Sequence, residues 1–289
     1  MTNSDLEATE AAVEHVARQL NGVERLGVAF SGGVDSSVLL ALAAQALGPD
    51  RVLAILGVSP SLAADERTAA HQVARHLGVP VVEIETREVE REAYRANGPD
   101  RCFHCKDELF TRIDAELVTR HRLDAVAYGE NADDVRRRDR PGARAAAAHR
   151  VLTPLVTAGL DKTAVRRIAR SFELPCADKP AAPCLASRIP HYSIVSPRKL
   201  SQIELAEAAL RRLGFNDLRV RHHGEIARLE LPGEDLARAV LEHEHIHRAV
   251  TEAGFRFVTL DLGGLQSGAF TGALLEADPT PTDVAGADR

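Results

Sequence analysis

No stretch of this sequence is apolar for long enough to cross a bilayer. Its first residues carry Asp5, Glu7 and Glu10, where a signal peptide would need a basic start and an apolar core. A cytoplasmic protein with no membrane partner is expected. Basic residues are not in excess: 36 Lys and Arg stand against 42 Asp and Glu, a formal charge of -6. That balance argues against nucleic acid as a partner, since a broad footprint on it needs a positive surface. Cysteine is scarce, four in 289 residues, which in a cytosolic setting points to reactivity or metal binding rather than a disulfide framework. What is present is ample apolar content, 45%, enough for one large domain or two ordinary ones.

Residues 28–40 read V-A-F-S-G-G-V-D-S-S-V-L-L. An apolar run ends at Phe30, two glycines follow Ser31, and Val38, Leu39 and Leu42 then take helical spacing, so the segment is a strand, a tight loop and a helix start. Gly32 and Gly33 let the backbone approach a ligand, and the free amides and positive dipole end of the helix face the same point. An anion belongs there. No lysine followed by a hydroxyl residue closes the loop, which excludes a Walker motif, and no third glycine follows at dinucleotide spacing. S-G-G-V-D-S instead resembles the PP-loop of the ATP pyrophosphatases, which hold the pyrophosphate end of ATP and transfer AMP to an oxygen nucleophile. The resemblance implies that Ser31, Gly32, Gly33, Asp35 and Ser36 contact the ATP phosphates, with magnesium (Mg2+) helping to neutralise them.

A first helix starts with Ser4 as its cap. Strand-like runs at 51–58, 79–84 and 123–128 alternate with helical ones at 64–77 and 106–121. This alternation predicts an α/β fold, a doubly wound parallel sheet over residues 1–190, and the PP-loop resemblance implies that it is of the adenine nucleotide alpha hydrolase-like type. Ligands then sit at the carboxyl ends of the strands. Ser59 follows the second strand, where the resemblance places adenine and ribose. G-E-N-A-D-D follows the fourth: Gly129 permits a tight turn, Asn131 offers a donor and an acceptor, and Asp133 and Asp134 suit magnesium or a helix start. Arg140, before Pro-Gly, is a candidate phosphate or carboxylate contact.

Cys102 and Cys105 form C-F-H-C in a loop expected to enter the 106–121 helix. Such a pair is half a zinc or iron site, or a redox pair. Without a second CxxC, zinc would need Cys184 plus Cys176 or a histidine; three thiolates on a 4Fe-4S cluster with one open iron is the other arrangement. Cys184 lies in P-A-A-P-C-L-A-S-R-I-P, where Pro180 and Pro183 rule out a regular helix and restrain the loop. Ser187 and Arg188 follow, and a guanidinium there favours thiolate and can receive a carboxylate or phosphate. Lys106, directly after Cys105, is placed to contact phosphate. Cys176 is read as a bystander.

Residues 191–270 predict a smaller C-terminal α+β lobe for substrate binding or oligomerisation: a helix opening with Pro197, strands at 218–222 and 225–231, a helix over 234–253 and a strand over 255–260. Arg219 and Arg221 share one strand face, which suits the phosphate of a mononucleotide. Glu207 and Glu230 are weaker candidates for a metal or substrate-ordering site. His243 and His247 have metal-ligand spacing but are read as part of an exposed charged helix. Residues 271–289 predict a disordered tail.

Taken in order, S-G-G-V-D-S-S, R-C-F-H-C-K, G-E-N-A-D-D with R-P-G, D-K-P-A-A-P-C-L-A-S-R-I-P, R-V-R-H-H-G and F-V-T-L-D-L-G-G-L-Q-S-G resemble the LarE family over residues 23–270. The resemblance implies an ATP-dependent sulfur transferase that adenylates pyridinium-3,5-biscarboxylic acid mononucleotide and displaces AMP with sulfur. The thiocarboxylate product serves a nickel-pincer nucleotide cofactor. Family members with only the cysteine matching Cys184 sacrifice its sulfur; those that also carry the CxxC pair resemble cluster enzymes delivering sulfide from an open iron. Cys102, Cys105 and Cys184 together predict the second kind. The implied cofactors are ATP, Mg2+ and the 4Fe-4S cluster. The implied partners are the pyridinium mononucleotide, sulfide or a sulfur donor, a downstream nickel-insertion protein, and further copies of the chain in a trimer or hexamer. Gln266 stands where the family places a basic residue. The competing readings are a PP-loop tRNA thiolation enzyme and an ATP-binding regulatory protein with structural zinc.

Overall fold

The apolar segment Leu26–Phe30 forms β1 of a four-stranded sheet completed by β2 (Val52–Val58), β3 (Val81–Glu85) and β4 (Ala125–Tyr128). The order is β3-β2-β1-β4, and every pairing is parallel, with Leu26 opposite Val52 on one side and Ala125 on the other. The chain steps outward from β1 to β2 and β3, then returns to place β4 on the opposite flank. The order therefore reverses between β1 and β4, and the crevice at their carboxyl ends is the ligand position of such sheets. The structure, a computed structural model, describes residues 3–135, 141–180 and 182–265. Arg140, Gln266 and the expected tail lie outside that set.

Ten helices accompany this sheet among the described residues: α1 (Asn3–Gln19), α2 (Val34–Leu47), α3 (Ala64–His76), α4 (Glu92–Arg95), α5 (Arg101–Ile113), α6 (Thr119–His121), α7 (Ala132–Val135), α8 (Pro141–Ala148), α9 (Pro154–Thr157) and α10 (Lys162–Ser171). One core joins Val16, Leu39, Val73 and Val165, from α1, α2, α3 and α10, to Val28, Ala54 and Leu56 of the strands. The other joins Phe110, Ile113, Ala145 and Ala146, from α5 and α8, to Leu53 and Ile55. Successive β2 residues thus face opposite layers, which is why the strand reads as an unbroken apolar run. α2 is apolar around its circumference and buried at nearly every position from Val34 to Ala43.

The chain divides into two compact units: residues 1–186 with 194–200, and residues 187–193 with 201 onward. The second unit carries most of α11 (Pro197–Arg212), followed by β5 (Arg219–His223), β6 (Ile226–Glu230), α12 (Gly233–Leu241), α13 (His243–Glu252) and β7 (Phe257–Leu260). β5 and β6 are antiparallel, and β7 adds parallel to β6. No helix among the described residues is long and apolar enough to cross a membrane.

Three local expectations are corrected. α5 begins at Arg101, so Cys102 and Cys105 lie on its first two turns and not in a preceding loop. The Gly98–Asp100 turn already starts the helix, with the Arg101 amide on Gly98 O and the Phe103 amide on Asp100 O. The helix expected over 234–253 breaks at Glu242, where φ -96° and ψ 18° leave the helical range. α1 begins at Asn3, one residue ahead of the expected Ser4 cap.

Candidate active site

The loop after β1 is held by its own serines. Ser36 Oγ donates to Gly33 O at 3.0 Å and accepts the Ser31 amide at 3.3 Å, while the Gly33 amide reaches Ser31 Oγ at 3.4 Å. Gly32 sits at φ +73°, and a Cβ there would lie 2.8 Å from Ala70 Cα, so α3 closes the loop from behind. Gly129 has a different reason. A Cβ on it would lie 2.5 Å from the Ser36 nitrogen, because the turn after β4 rests directly on the first turn of α2.

That contact brings G-E-N-A-D-D to the loop. Asn131 Nδ2 donates to Asp35 Oδ1 at 3.0 Å and to Asp134 Oδ2 at 2.9 Å, while its Oδ1 accepts the amides of Asp133 and Asp134 at 3.0 and 3.1 Å. Asp133 accepts the Lys162 amide at 3.0 Å, and Lys162 Nζ forms an ion pair with Asp35. Asp35, Asn131, Asp133, Asp134 and Lys162 therefore form one network at the carboxyl ends of β1 and β4. Lys162 is one residue that sequence reasoning missed. Asp161 caps α10, accepting the Ala164 amide at 2.7 Å, and a lysine in the next position opposes the helix dipole. That mismatch was a legible sign that its charge is matched from elsewhere in the fold.

Ser59, after β2, donates its hydroxyl to Glu88, a fully buried carboxylate, and accepts the Ser61 amide at 3.2 Å. Ser61 continues the chain of contacts: its hydroxyl is 2.6 Å from Tyr94 Oη, and its carbonyl accepts the Leu185 amide at 3.0 Å. Lys106 Nζ lies 3.9 Å from the centre of the Tyr128 ring, a cation-π contact at the end of β4.

Cys184 is thus carried on a tethered segment. Upstream, Lys179 is bonded to both oxygens of Glu66 at 2.8 Å, and Arg166 donates to the carbonyls of Ala177 and Lys179. Downstream, the Leu185 amide is held by Ser61, and buried Arg101 donates from Nη1 to Ala186 O at 2.9 Å and to Asn97 Oδ1. Leu185–Arg188 forms a 3-10 turn. Cys102 and Cys184 are exposed, Cys105 is intermediate, and Cys176 is buried in the core, as its bystander reading requires.

The thiols share one electrostatic neighbourhood. Burial pushes the Cys105 thiol well up, the charge of Glu88 and then those of Cys184 and Cys102 push it further, and Arg101 opposes them. Tyr94 is raised for the same reasons, burial first and the charge of Cys184 second. Burial would lower Arg101, but the negative charge of Cys184 and Cys102 outweighs it and the guanidinium moves up. No group of three or more His, Cys, Asp or Glu side chains that could hold a metal ion is formed among the described residues.

In the second unit the expected site residues form an ion-paired interior. Arg188 reaches both oxygens of Glu207, at 2.9 and 3.3 Å, and Glu207 also accepts Arg211 and the Val220 amide, each at 3.1 Å. Arg221 is bidentate on Glu230 at 2.9 and 2.8 Å and reaches the Ser187 carbonyl at 2.9 Å; Arg228 adds a third bond to Glu230 at 3.0 Å. Glu207 and Glu230 therefore serve guanidinium groups where the sequence allowed a metal. Arg219 is half-buried, its pKa lowered by burial and then by Arg221 and Arg188. His243 Nδ1 bonds the Val240 carbonyl at 3.0 Å.

A serine-locked glycine loop between β1 and α2, facing the crevice of a 3-2-1-4 parallel sheet, defines a PP-loop α/β protein of the ATP pyrophosphatase class. The Asparagine synthase family model matches residues 7–136. A Synechocystis protein described as uncharacterized is 37% identical over 90% of this chain and 96% of its own length. The pyridinium-3,5-bisthiocarboxylic acid mononucleotide synthase of Lactiplantibacillus plantarum is 32% identical over 89% of this chain and 93% of its own. An uncharacterized protein of Methanocaldococcus jannaschii is 27% identical over 83% and 90%. The chain belongs to the pyridinium-3,5-bisthiocarboxylic acid mononucleotide synthase family, the LarE family.

Proposed function

We propose that this protein is an ATP-dependent sulfur transferase that adenylates the carboxylates of pyridinium-3,5-biscarboxylic acid mononucleotide and converts them to thiocarboxylates. The observation that carries the reading is a continuous set of bonds within one unit: Glu88 to Ser59, Ser59 to Ser61, and Ser61 to Leu185 beside Cys184. A segment fit to meet the nucleotide therefore also holds the segment that bears the thiol.

A carboxylate oxygen is a poor leaving group, and coupling it to AMP gives a mixed anhydride that soft sulfur attacks readily. The loop amides and the start of α2 stabilise the departing pyrophosphate. Ser31, Gly32, Gly33 and Ser36 form this cradle. Lys162 exchanges Asp35 for phosphate oxygen, and the released Asp35, with Asp134, is available to Mg2+. Lys106 is a second cation for the phosphates. Arg219, half-buried beside Arg188 and Arg221, receives the phosphate of the mononucleotide, while Glu207 and Glu230 hold Arg188 and Arg221 in place.

Cys102, Cys105 and Cys184, three soft thiols, are the residues that would hold a 4Fe-4S cluster. Such a cluster, when bound, supplies sulfide to the activated carboxylate. Cys105 must give up its proton to serve as a ligand. The product then passes to a nickel-inserting protein, and the active form is a homo-oligomer, a trimer or hexamer.

The test is anaerobic incubation with ATP, Mg2+, the dicarboxylated mononucleotide and sulfide, followed by mass spectrometry of product and protein. Exchange of oxygen for sulfur at both carboxylates, with AMP and pyrophosphate released in step, is expected. No substrate-dependent pyrophosphate release would reject the reading. Iron-free protein that makes product once and loses sulfur from Cys184 would replace the cluster with a sacrificed thiol.

A further inference from the structure

Three arginines are buried among the described residues: Arg101, Arg188 and Arg221. The last two are bidentate on glutamates. Among the described residues no carboxylate pairs with Arg101; its Nη1 donates to the Asn97 side chain and the Ala186 carbonyl. A guanidinium taken out of water without a counter-ion is costly, and the cost is met by something other than an acid. Cys102 follows it directly on α5, and the Ala186 bond brings in the segment of Cys184, two residues upstream of that carbonyl. Asn97, which orients the guanidinium, is fully buried at φ +57°, a left-handed conformation that asparagine tolerates better than most residues. The positive end of the thirteen-residue α5 adds to the same region.

We infer that Arg101 is the anion-holding residue of the sulfur step: its guanidinium receives anionic sulfur, as hydrosulfide or as a thiolate that carries it, while its bond to Ala186 fixes the Cys184 segment. The inference rests on the sulfur-transferase reading. In the step served, the sulfur of hydrosulfide forms a C–S bond to the carbonyl carbon of the acyl adenylate. The C–O bond to AMP breaks with its electron pair leaving on the AMP phosphate, and the thioacid releases its proton to solvent. No oxidant or reductant is consumed.

The experiment measures mononucleotide-dependent pyrophosphate release and thiocarboxylate formation as separate rates, anaerobically, with sodium sulfide varied. Arg101→Gln is expected to slow thiocarboxylate formation roughly a hundredfold, at least tenfold more than it slows pyrophosphate release, with a raised KM for sulfide. Arg101→Lys recovers part of the loss. Equal losses in both rates, or an unchanged KM for sulfide, overturn the inference. Absence of mononucleotide-dependent pyrophosphate release in the unmutated protein rejects the underlying reading instead. Product formed only with added sulfide identifies hydrosulfide as the anion; product formed without it identifies the Cys184 thiolate, which displaces AMP to form a thioester and then loses its Cα proton as the Cβ–S bond breaks, leaving dehydroalanine and the thiocarboxylate.

Discussion

The buried arginines of the two units are chemically identical and electrostatically opposite. Arg188 and Arg221 are clamped on Glu207 and Glu230, so their charge is already spent on the interior of the second unit. Arg101 is held by neutral oxygens, one of them the Ala186 carbonyl two residues past Cys184. Paired guanidinium groups build a rigid floor, whereas a buried one without an acid keeps its charge for an anion that comes and goes. Exposure alone does not distinguish them. What differs is the acid beside each.

The sharpest break in this comparison is at the anion it serves. Cys184→Ala is expected to reduce thiocarboxylate formation to background, a fall of roughly a thousandfold whether the thiol holds the sulfur source or is itself that source, checked by mass spectrometry of the product. Next comes stability. Arg221→Met strands the carboxylate of Glu230 and is expected to cost about 3–5 kcal/mol in denaturant unfolding. Arg101→Met strands only neutral partners and should cost about 1–2 kcal/mol. Equal costs would erase the distinction. Gly129→Ala drives a methyl into the first turn of α2 and is expected to lose about 1–3 kcal/mol together with ATP-dependent turnover. Among the thiols, Cys105 stays protonated and should alkylate roughly tenfold more slowly than Cys102 at neutral pH.

The smallest effect lies on α8 and its flank. His149 is set between Asp114 at 2.9 Å and Asp107 at 3.0 Å; burial lowers its pKa, but the two carboxylates outweigh it and the net direction is up. Its stabilisation is therefore complete below the ordinary histidine value of about 6.5 and fades as pH rises through the raised value. The gap in unfolding midpoint between the unmutated protein and His149→Gln should be widest in mild acid and close in alkali.

The glycine loop was legible because backbone conformation and close approach restrict the residue choice, as at Gly32 and Gly129. The parallel sheet was legible because burial on two faces leaves unbroken apolar runs such as β2. The break at Glu242 was not, since neither glycine nor proline marks it. Lys162 and Arg101 escaped for a different reason: what gives them meaning is a partner 127 residues away in one case and 85 in the other. Arg219 and Arg221 drew notice by strand alternation, which reveals a shared face but not the acids opposite.

One bond near Cys184 belongs to no side chain. The Leu185 amide is carried by the Ser61 carbonyl, so the mounting point of the thiol survives whatever residue stands at 184. Descendants of such a fold are free to change how sulfur is supplied, by donation from the residue itself or by relay from outside, without relocating where it is delivered.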